Sequence, residues 1–150
     1  MPLVDVDAIT LVLLMLELWD QDVHLVAACL QTRRTQELEA VGRRQLEAWG
    51  DVRREANRGL PAFHTPPDEP SVRYLGSVML ALRDDVGTTY EFRGRSMGGG
   101  QTEWRLTQQW RPGVPVQASI LAVDVQDSDG VTVHSVELAL RKDLITRAPG

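Results

Sequence analysis

Residues 88 to 110 read TTYEFRGRSMGGGQTEWRLTQQW, and this stretch decides the fold class. After the glycines, large apolar side chains occur at Trp104, Leu106 and Trp110, with polar residues between them. Spacings of two and four are the pattern of a β-strand with one buried face. The two aromatic residues before the glycines alternate in the same way. The stretch therefore predicts two antiparallel strands joined at the glycine run.

The segments on either side predict three further strands. SVRYLGSVMLAL at 71–82 precedes the stretch, and ASILAVDV at 118–125 and VTVHSVELAL at 131–140 follow it. The connections DDVG and DSDG consist of residue types that favour tight turns. Short strands separated by turn signals at this spacing are typical of a β-sandwich.

The N-terminal third is open to two interpretations. Residues 8–30 contain AITLVLLMLELW and VHLVAACL, which are apolar almost throughout and are separated by the polar residues DQD. Leucine and methionine favour helix, and periodicity does not distinguish helix from strand in a run this apolar. A three-residue polar break suits a hairpin loop. We predict two strands; the alternative is an α+β fold with a helical N-terminal third.

Residues 33–58 predict one long helix. Gly59 and Pro61 follow it and supply the usual signals for a helix C-terminus. Because two internal glycines weaken the helix, we expect its apolar stripe to be docked on the rest of the protein. The stripe consists of Leu38, Val41, Trp49, Val52 and Ala56.

These elements together predict a mostly β protein: an antiparallel immunoglobulin-like β-sandwich of about seven strands with one long inserted α-helix. A chain of 150 residues suits one domain, covering 1–150. Its predicted parts are an N-terminal hairpin at 8–31, an inserted helix at 33–58, a proline-rich connector at 61–71 and a five-strand half at 72–141.

The run DDVGTTYEF…GGG…TEW…RPGVPVQASILAVDV resembles immunoglobulin-like domains in uncharacterised proteins of high-GC bacteria. The resemblance covers roughly residues 72–140. It implies a sandwich fold and carries no known activity. The Cys…Trp…Cys pattern of antibody domains is absent, so antibody-type recognition is not implied.

Composition and charge narrow the classes of function. The formal net charge of −5 argues against whole-molecule attraction to nucleic acid or to an anionic membrane. The apolar run AITLVLLML is too short to span a bilayer. The one cysteine, Cys29, excludes an internal disulfide and favours a reducing compartment. We therefore expect a cytoplasmic protein with no membrane partner.

Ser96 stands in a G-x-S-x-G motif, the pattern of the nucleophile elbow in serine hydrolases. Asp124 and His134 follow it in the triad order of α/β-hydrolases. An elbow must lead into a helix, however, and the residues after this motif have the period of a strand. We keep a serine hydrolase as an alternative and predict that the glycines form a turn between strands.

Three other patterns in the sequence bear on calcium, other metals and nucleic acid as possible ligands. DVQDSDG at 124–130 resembles a fragment of a calcium loop but lacks the EF-hand ligand spacing, and its residues are those of a hairpin turn. The three histidines have no metal-binding spacing, and we expect no metal or other cofactor. Arginine doublets on the helix allow weak nucleic-acid binding, but they wind around the helix among acidic residues, as on a solvated helix face.

The hairpin around the glycines provides the candidate binding residues. On the face opposite the aromatic residues, strand alternation places arginines that form a polar, arginine-rich surface. Arginine is enriched at protein interfaces. We therefore predict a non-catalytic module for protein interaction or self-assembly, which binds a protein partner or a second copy of itself. Its candidate binding residues are Arg93, Arg95, Arg105 and Arg111.

Overall fold

The computed structural model describes residues 1–56, 65–100 and 102–141. These residues form eight strands and two helices. In chain order the elements are β1 (Pro2–Val6), β2 (Ile9–Leu18), β3 (Val23–Leu30), α1 (Arg33–Ala56), α2 (Pro70–Gly76), β4 (Met79–Asp84), β5 (Glu91–Gly99), β6 (Glu103–Arg111), β7 (Ile120–Gln126) and β8 (Thr132–Ala139).

The strands form two antiparallel sheets that enclose the core between them. The larger sheet has the order β1-β2-β3-β6-β5, and the smaller has the order β4-β7-β8. Leu11, Leu25 and Leu106 from the larger sheet and Leu121 and Val123 from the smaller are fully buried. The predicted mostly β sandwich with an inserted helix is confirmed.

The N-terminal third is a pair of strands, so the α+β alternative with a helical N-terminal third is wrong. β3 lies between β2 and β6, and pairing on both sides outweighs the helix propensity of leucine and methionine. An unpredicted strand, β1, precedes them and raises the count from about seven to eight among the described residues. It joins β2 through Asp7 and Ala8, both at positive φ.

The strand predicted at 71–82 begins only at Met79, because the residues before it form α2. The buried side chains of α2 are Ser71 and Leu75, four positions apart on one helix face. Pro70 stands in the first turn, where a proline is tolerated. Tyr74 fixes the helix on the larger sheet by donating a hydrogen bond of 3.0 Å to the carbonyl oxygen of Ile9.

The long helix is confirmed as α1, but its apolar stripe is only partly docked. Near the start of the helix, Glu39 accepts a 2.7 Å hydrogen bond from Trp104 Nε1. Gly42 lies so close to Pro70 that an added Cβ would come within 2.7 Å of its ring. Further along, Val41 and Val52 are 38% and 49% exposed. The expectation of a fully docked stripe is wrong, because α2 reaches only the first half of the helix.

Two predicted boundaries fall outside the described residues. They are the end of the predicted helix at 57–58 and residues 61–64 of the proline-rich connector. Residues 65–69 of the connector are described and have no regular structure. No helix within the described ranges is both long enough and apolar enough to cross a membrane.

Candidate functional site

A cleft of about 420 Å³ lies between the edge strands β4 and β5. We call it the edge cleft. Leu80 and Leu82 of β4 form one wall, and Trp110 of β6 forms the other. Met79 and Phe92 stand at its mouth, 47% and 53% exposed. A volume of this size falls in the range of about 300–1,000 Å³ that is usual for small-molecule sites.

Gln108 is the most deeply buried polar residue in the wall of the edge cleft. It is only 3% exposed, and among the described residues its Oε1 has no hydrogen-bond partner. Gln108 faces inward because alternate residues of β6 lie on the same face of the sheet. Leu106 and Trp110, two positions away on either side, face inward as well. A buried carboxamide oxygen without a donor costs free energy, so this position invites a donor from a bound molecule.

A fixed hydrogen-bond network closes one end of the edge cleft. The buried carboxylate of Asp84 accepts N–H bonds from Val86 and Thr88, and a 2.8 Å bond from the Tyr90 hydroxyl. Burial raises the pKa of Asp84, but the donors from Thr88, Tyr90 and Val86 outweigh it and hold that pKa below its usual value. Burial and the neighbouring Asp84 carboxylate raise the pKa of Tyr90. The Tyr90 ring is thus a fixed part of the wall.

The four arginines proposed as a binding face do not share one face. β5 contains a bulge between Phe92 and Gly94, which shifts the register by one residue. Arg95 therefore pairs with Gln108, on the inward face, and lines the edge cleft. The expected placement of Arg95 beside Arg105 and Arg111 is wrong, because the extra residue turns the rest of the strand over.

The other three arginines already have carboxylate partners. Their side-chain nitrogens lie 3.3 Å from Glu91, 2.7 Å from Glu103 and 2.6 Å from Asp22, for Arg93, Arg105 and Arg111 respectively. The hydrogen bond from Arg111 lowers the pKa of Asp22 below its usual value. These pairs are largely exposed and contribute little to stability, but they reduce the charge available to a partner. In the described part of the chain, Arg95 makes no ion pair.

Ser96 does not form a nucleophile elbow. It lies inside β5, opposite Thr107, and the chain continues into β6 without an intervening helix. Asp124 accepts hydrogen bonds from Arg83 and Ser135 on the smaller sheet. His134 pairs with Val125, one position along, so it faces the opposite side of that sheet from Asp124. The hydrolase geometry is contradicted.

The other motifs have structural roles. In the DVQDSDG turn, Asp127 Oδ1 accepts the N–H groups of Asp129 and Val131, both at 2.9 Å. The first helix doublet forms local ion pairs, with Arg33 at 3.3 Å and Arg34 at 3.7 Å from Glu37. Across residues 1–56, 65–100 and 102–141, no group of three or more His, Cys, Asp or Glu side chains is arranged to hold a metal ion.

Comparison with known proteins adds no assignment: no family model, curated protein or solved structure matches the chain. The edge cleft is thus identified from geometry alone. The sequence did contain one signal for it. The apolar face of β6 runs through Trp104, Leu106 and Trp110, and Gln108 interrupts it. A polar residue at a position that the alternation buries is the kind of exception that marks a binding site.

Proposed function

We propose that the protein is a non-catalytic binding module that holds the apolar part of a ligand in the edge cleft. The observation that carries this proposal is the buried Oε1 of Gln108, which has no partner among the described residues, in the wall of a mainly apolar cavity. Natural ligand sites have this composition, with apolar walls and a few polar groups that fix orientation.

The chemistry of the lining favours binding over catalysis. General acid–base or nucleophilic catalysis needs a group whose pKa lies near the working pH or a nucleophile beside a base. Among the described residues, the titratable groups that line the edge cleft are Tyr90 and Arg95. The pKa of Tyr90 is raised and its hydroxyl donates to Asp84. Arginine has donors but no acceptor, so it does not serve as a general base.

The direct test uses the neutral fluorophore N-phenyl-1-naphthylamine, whose emission rises in apolar surroundings. We expect the protein to enhance its emission in a saturable way. Phe92→Ser and Met79→Ser remove apolar surface from the mouth and should weaken binding several-fold, by about 1 kcal/mol for each side chain. Circular dichroism verifies that both variants keep the fold.

Leu46→Ser on α1 is the matched control, because Leu46 is 50% exposed and lies outside the edge cleft. It should bind the fluorophore as the original protein does. Saturable binding that is lost in Leu46→Ser and kept in Phe92→Ser would overturn the proposal. So would a protein that fails to enhance the emission at all.

A second candidate function is self-association, which the sequence suggested for the arginine face of the hairpin and for which the structure offers a different surface, the exposed part of α1. Val41 and Val52 are eleven positions apart, about three turns, and lie on the same side of the helix. They are 38% and 49% exposed. An antiparallel pairing sets Val41 beside Val52 of a second copy, so the same patch of each helix meets its counterpart.

Sedimentation velocity tests this candidate. A concentration-dependent dimer that Val52→Glu dissociates would support it. Val133→Glu is the control, because Val133 is equally apolar, 63% exposed and located on β8 instead of α1. A monomer at every concentration, or equal effects of both variants, would remove the candidate.

Two further expectations from the sequence belong to the proposal. One is the likeness to immunoglobulin-like domains over residues 72–140, for which the sequence motifs are the support. The other is a cytoplasmic location, supported by the single thiol of Cys29, which is buried and free.

A further inference from the structure

We infer that the edge cleft takes an apolar group that carries a carboxylate and a neighbouring N–H donor. This is the chemistry of an N-acylated apolar amino acid, and equally of the last residue of a protein chain. The inference rests on the proposed function, because it names the ligand class for the same site. Three features of the wall carry it: the charge of Arg95, the oxygen of Gln108 and the aromatic surface.

Arg95 supplies the positive charge. The other three arginines of the β5–β6 hairpin have carboxylate partners, whereas Arg95 makes no ion pair within the described residues. Its position after the bulge aims it toward the cleft instead of the outer face of the sheet. A guanidinium beside an apolar cavity favours a ligand carboxylate, which it binds through two parallel hydrogen bonds.

Gln108 supplies the complementary acceptor. It stands directly opposite Arg95 in the antiparallel register, so their Cβ atoms are about 4.5–5.5 Å apart. A ligand carboxylate bound by Arg95 at the cleft therefore lies on the same face of the hairpin as the carboxamide of Gln108. The unpaired Oε1 needs a donor, which a carboxylate does not provide. An N–H group one or two bonds from the carboxylate meets this need.

The rest of the wall selects an apolar, ring-sized side chain. Phe92 and Trp110 meet edge to face with ring centroids 6.3 Å apart, and Leu80 and Leu82 oppose them from β4. Aromatic rings favour such offset or edge-on contacts with a further ring. Phosphate-bearing ligands fit less well, because one guanidinium and one carboxamide do not satisfy a dianion.

Three small probes separate the contributions by isothermal titration calorimetry. N-acetyl-phenylalanine has both the carboxylate and the N–H group. N-acetyl-phenylalaninamide lacks the carboxylate, and 3-phenylpropanoate lacks the N–H group. We expect N-acetyl-phenylalanine to bind about tenfold tighter than either relative, since each charge-assisted or buried hydrogen bond contributes about that factor.

Two variants and a control assign these preferences to residues. Arg95→Gln should weaken N-acetyl-phenylalanine about tenfold and leave N-acetyl-phenylalaninamide unchanged. Gln108→Met keeps the volume and should abolish the advantage of N-acetyl-phenylalanine over 3-phenylpropanoate. Arg93→Gln is the matched control, two residues from Arg95 and paired with Glu91, and should bind all three probes normally.

A longer probe distinguishes the two sources of this chemistry. An acetylated tetrapeptide ending in phenylalanine with a free carboxylate is compared with N-acetyl-phenylalanine. Much tighter binding of the peptide would identify a protein C-terminus, with its backbone along the open edge of β4 or β5. Equal affinities would identify a free acylated amino acid. Both results support the inference.

Equal affinities for N-acetyl-phenylalanine and its amide would overturn the inference, and so would an unchanged preference in Arg95→Gln. If the neutral fluorophore still binds the edge cleft in those cases, the proposed function stands and only the ligand class is wrong. If neither the fluorophore nor any of the probes binds, both fail together.

Discussion

The two open sides of the sandwich differ in how their gap is filled. On one side β1 contacts β8, and Leu3 and Val136 fill the space between the sheets, with exposures of 1% and 7%. On the other side β4 and β5 leave the edge cleft of about 420 Å³. The side chains that β5 turns toward this gap include the half-exposed Phe92 and the charged Arg95.

We infer from this difference that the amino-acid sequence itself keeps the second side of the sandwich open. A leucine at Arg95 would complete the apolar wall, as Leu3 does on the filled side. The bulge in β5 instead delivers the exposed guanidinium of Arg95 to the gap. An inward charge on an edge strand also discourages pairing with other chains. The ligand probes separate this protective role from binding, because protection alone gives no carboxylate preference.

The largest loss of stability is expected from a substitution on the filled side, and a matching substitution on the open side tests whether the two sides differ in packing. Leu3→Ala should lower the free energy of unfolding by about 4 kcal/mol, because the surrounding side chains leave a cavity where none existed. Leu82→Ala should cost only about 2 kcal/mol, because Leu82 already borders the edge cleft and has fewer partners to lose. Urea denaturation followed by tryptophan fluorescence measures both. Equal losses would show that the open side is packed as tightly as the filled one.

A smaller effect is expected at the end of the edge cleft. Asp84→Asn should lower the free energy of unfolding by about 1–3 kcal/mol, because the carboxamide does not accept from Val86, Thr88 and Tyr90 as well as a carboxylate does. The folded-state pKa of Asp84 lies below its unfolded value of about 3.9. Its contribution is therefore present above pH 4 and is lost as the pH falls through the folded-state pKa.

Urea denaturation at pH 7 and at pH 3 checks this pH dependence. The cost of Asp84→Asn should shrink at the lower pH, since part of the wild-type advantage has disappeared there. Asp129→Asn, in an exposed turn, is the control and should have little effect at either pH. A cost of Asp84→Asn that is the same at both pH values would contradict the role given to the carboxylate.

Local patterns in the sequence were sufficient for most of the fold. Alternation predicted β5 to β8, the polar break DQD predicted the N-terminal hairpin, and the apolar stripe predicted α1. Two elements escaped because their signals are weak. β1 turns into β2 through Asp7 and Ala8 at positive φ, without the glycine that normally marks such a turn. α2 was taken for a strand because its short sequence also alternates.

The site was harder to predict because it depends on one extra residue and on contacts between distant strands. Strict alternation places Arg95 with Arg105, and only the bulge at Arg93 reverses this. Gly94 stands next to the bulge, and a glycine inside a strand can mark one, but Gly98 and Gly99 in the same strand give the same signal. Gln108 was visible as a polar break, but the cavity beside it exists because β4 and β5 do not meet.

The smallest expected effect is also the one that links stability to function. Gln108→Met replaces a buried carboxamide by an apolar side chain of similar volume, so the unpaired oxygen disappears and the fold should gain about 1 kcal/mol. The same variant should lose the preference for ligands with an N–H donor. Residues that are retained for binding often reduce the stability of the unbound protein. A variant that gains stability and loses the ligand preference is the result expected for such a residue.

Gln126→Met provides the comparison, since Gln126 also borders the edge cleft but is less buried than Gln108. Its side chain stays in contact with water, so the substitution should leave stability within about 0.5 kcal/mol. If Gln108→Met instead lowers stability, its oxygen already has a donor, such as an ordered water, and the argument for a ligand N–H loses its basis. If stability rises but the preference for an N–H donor is unchanged, Gln108 is an unsatisfied core residue that does not select this donor.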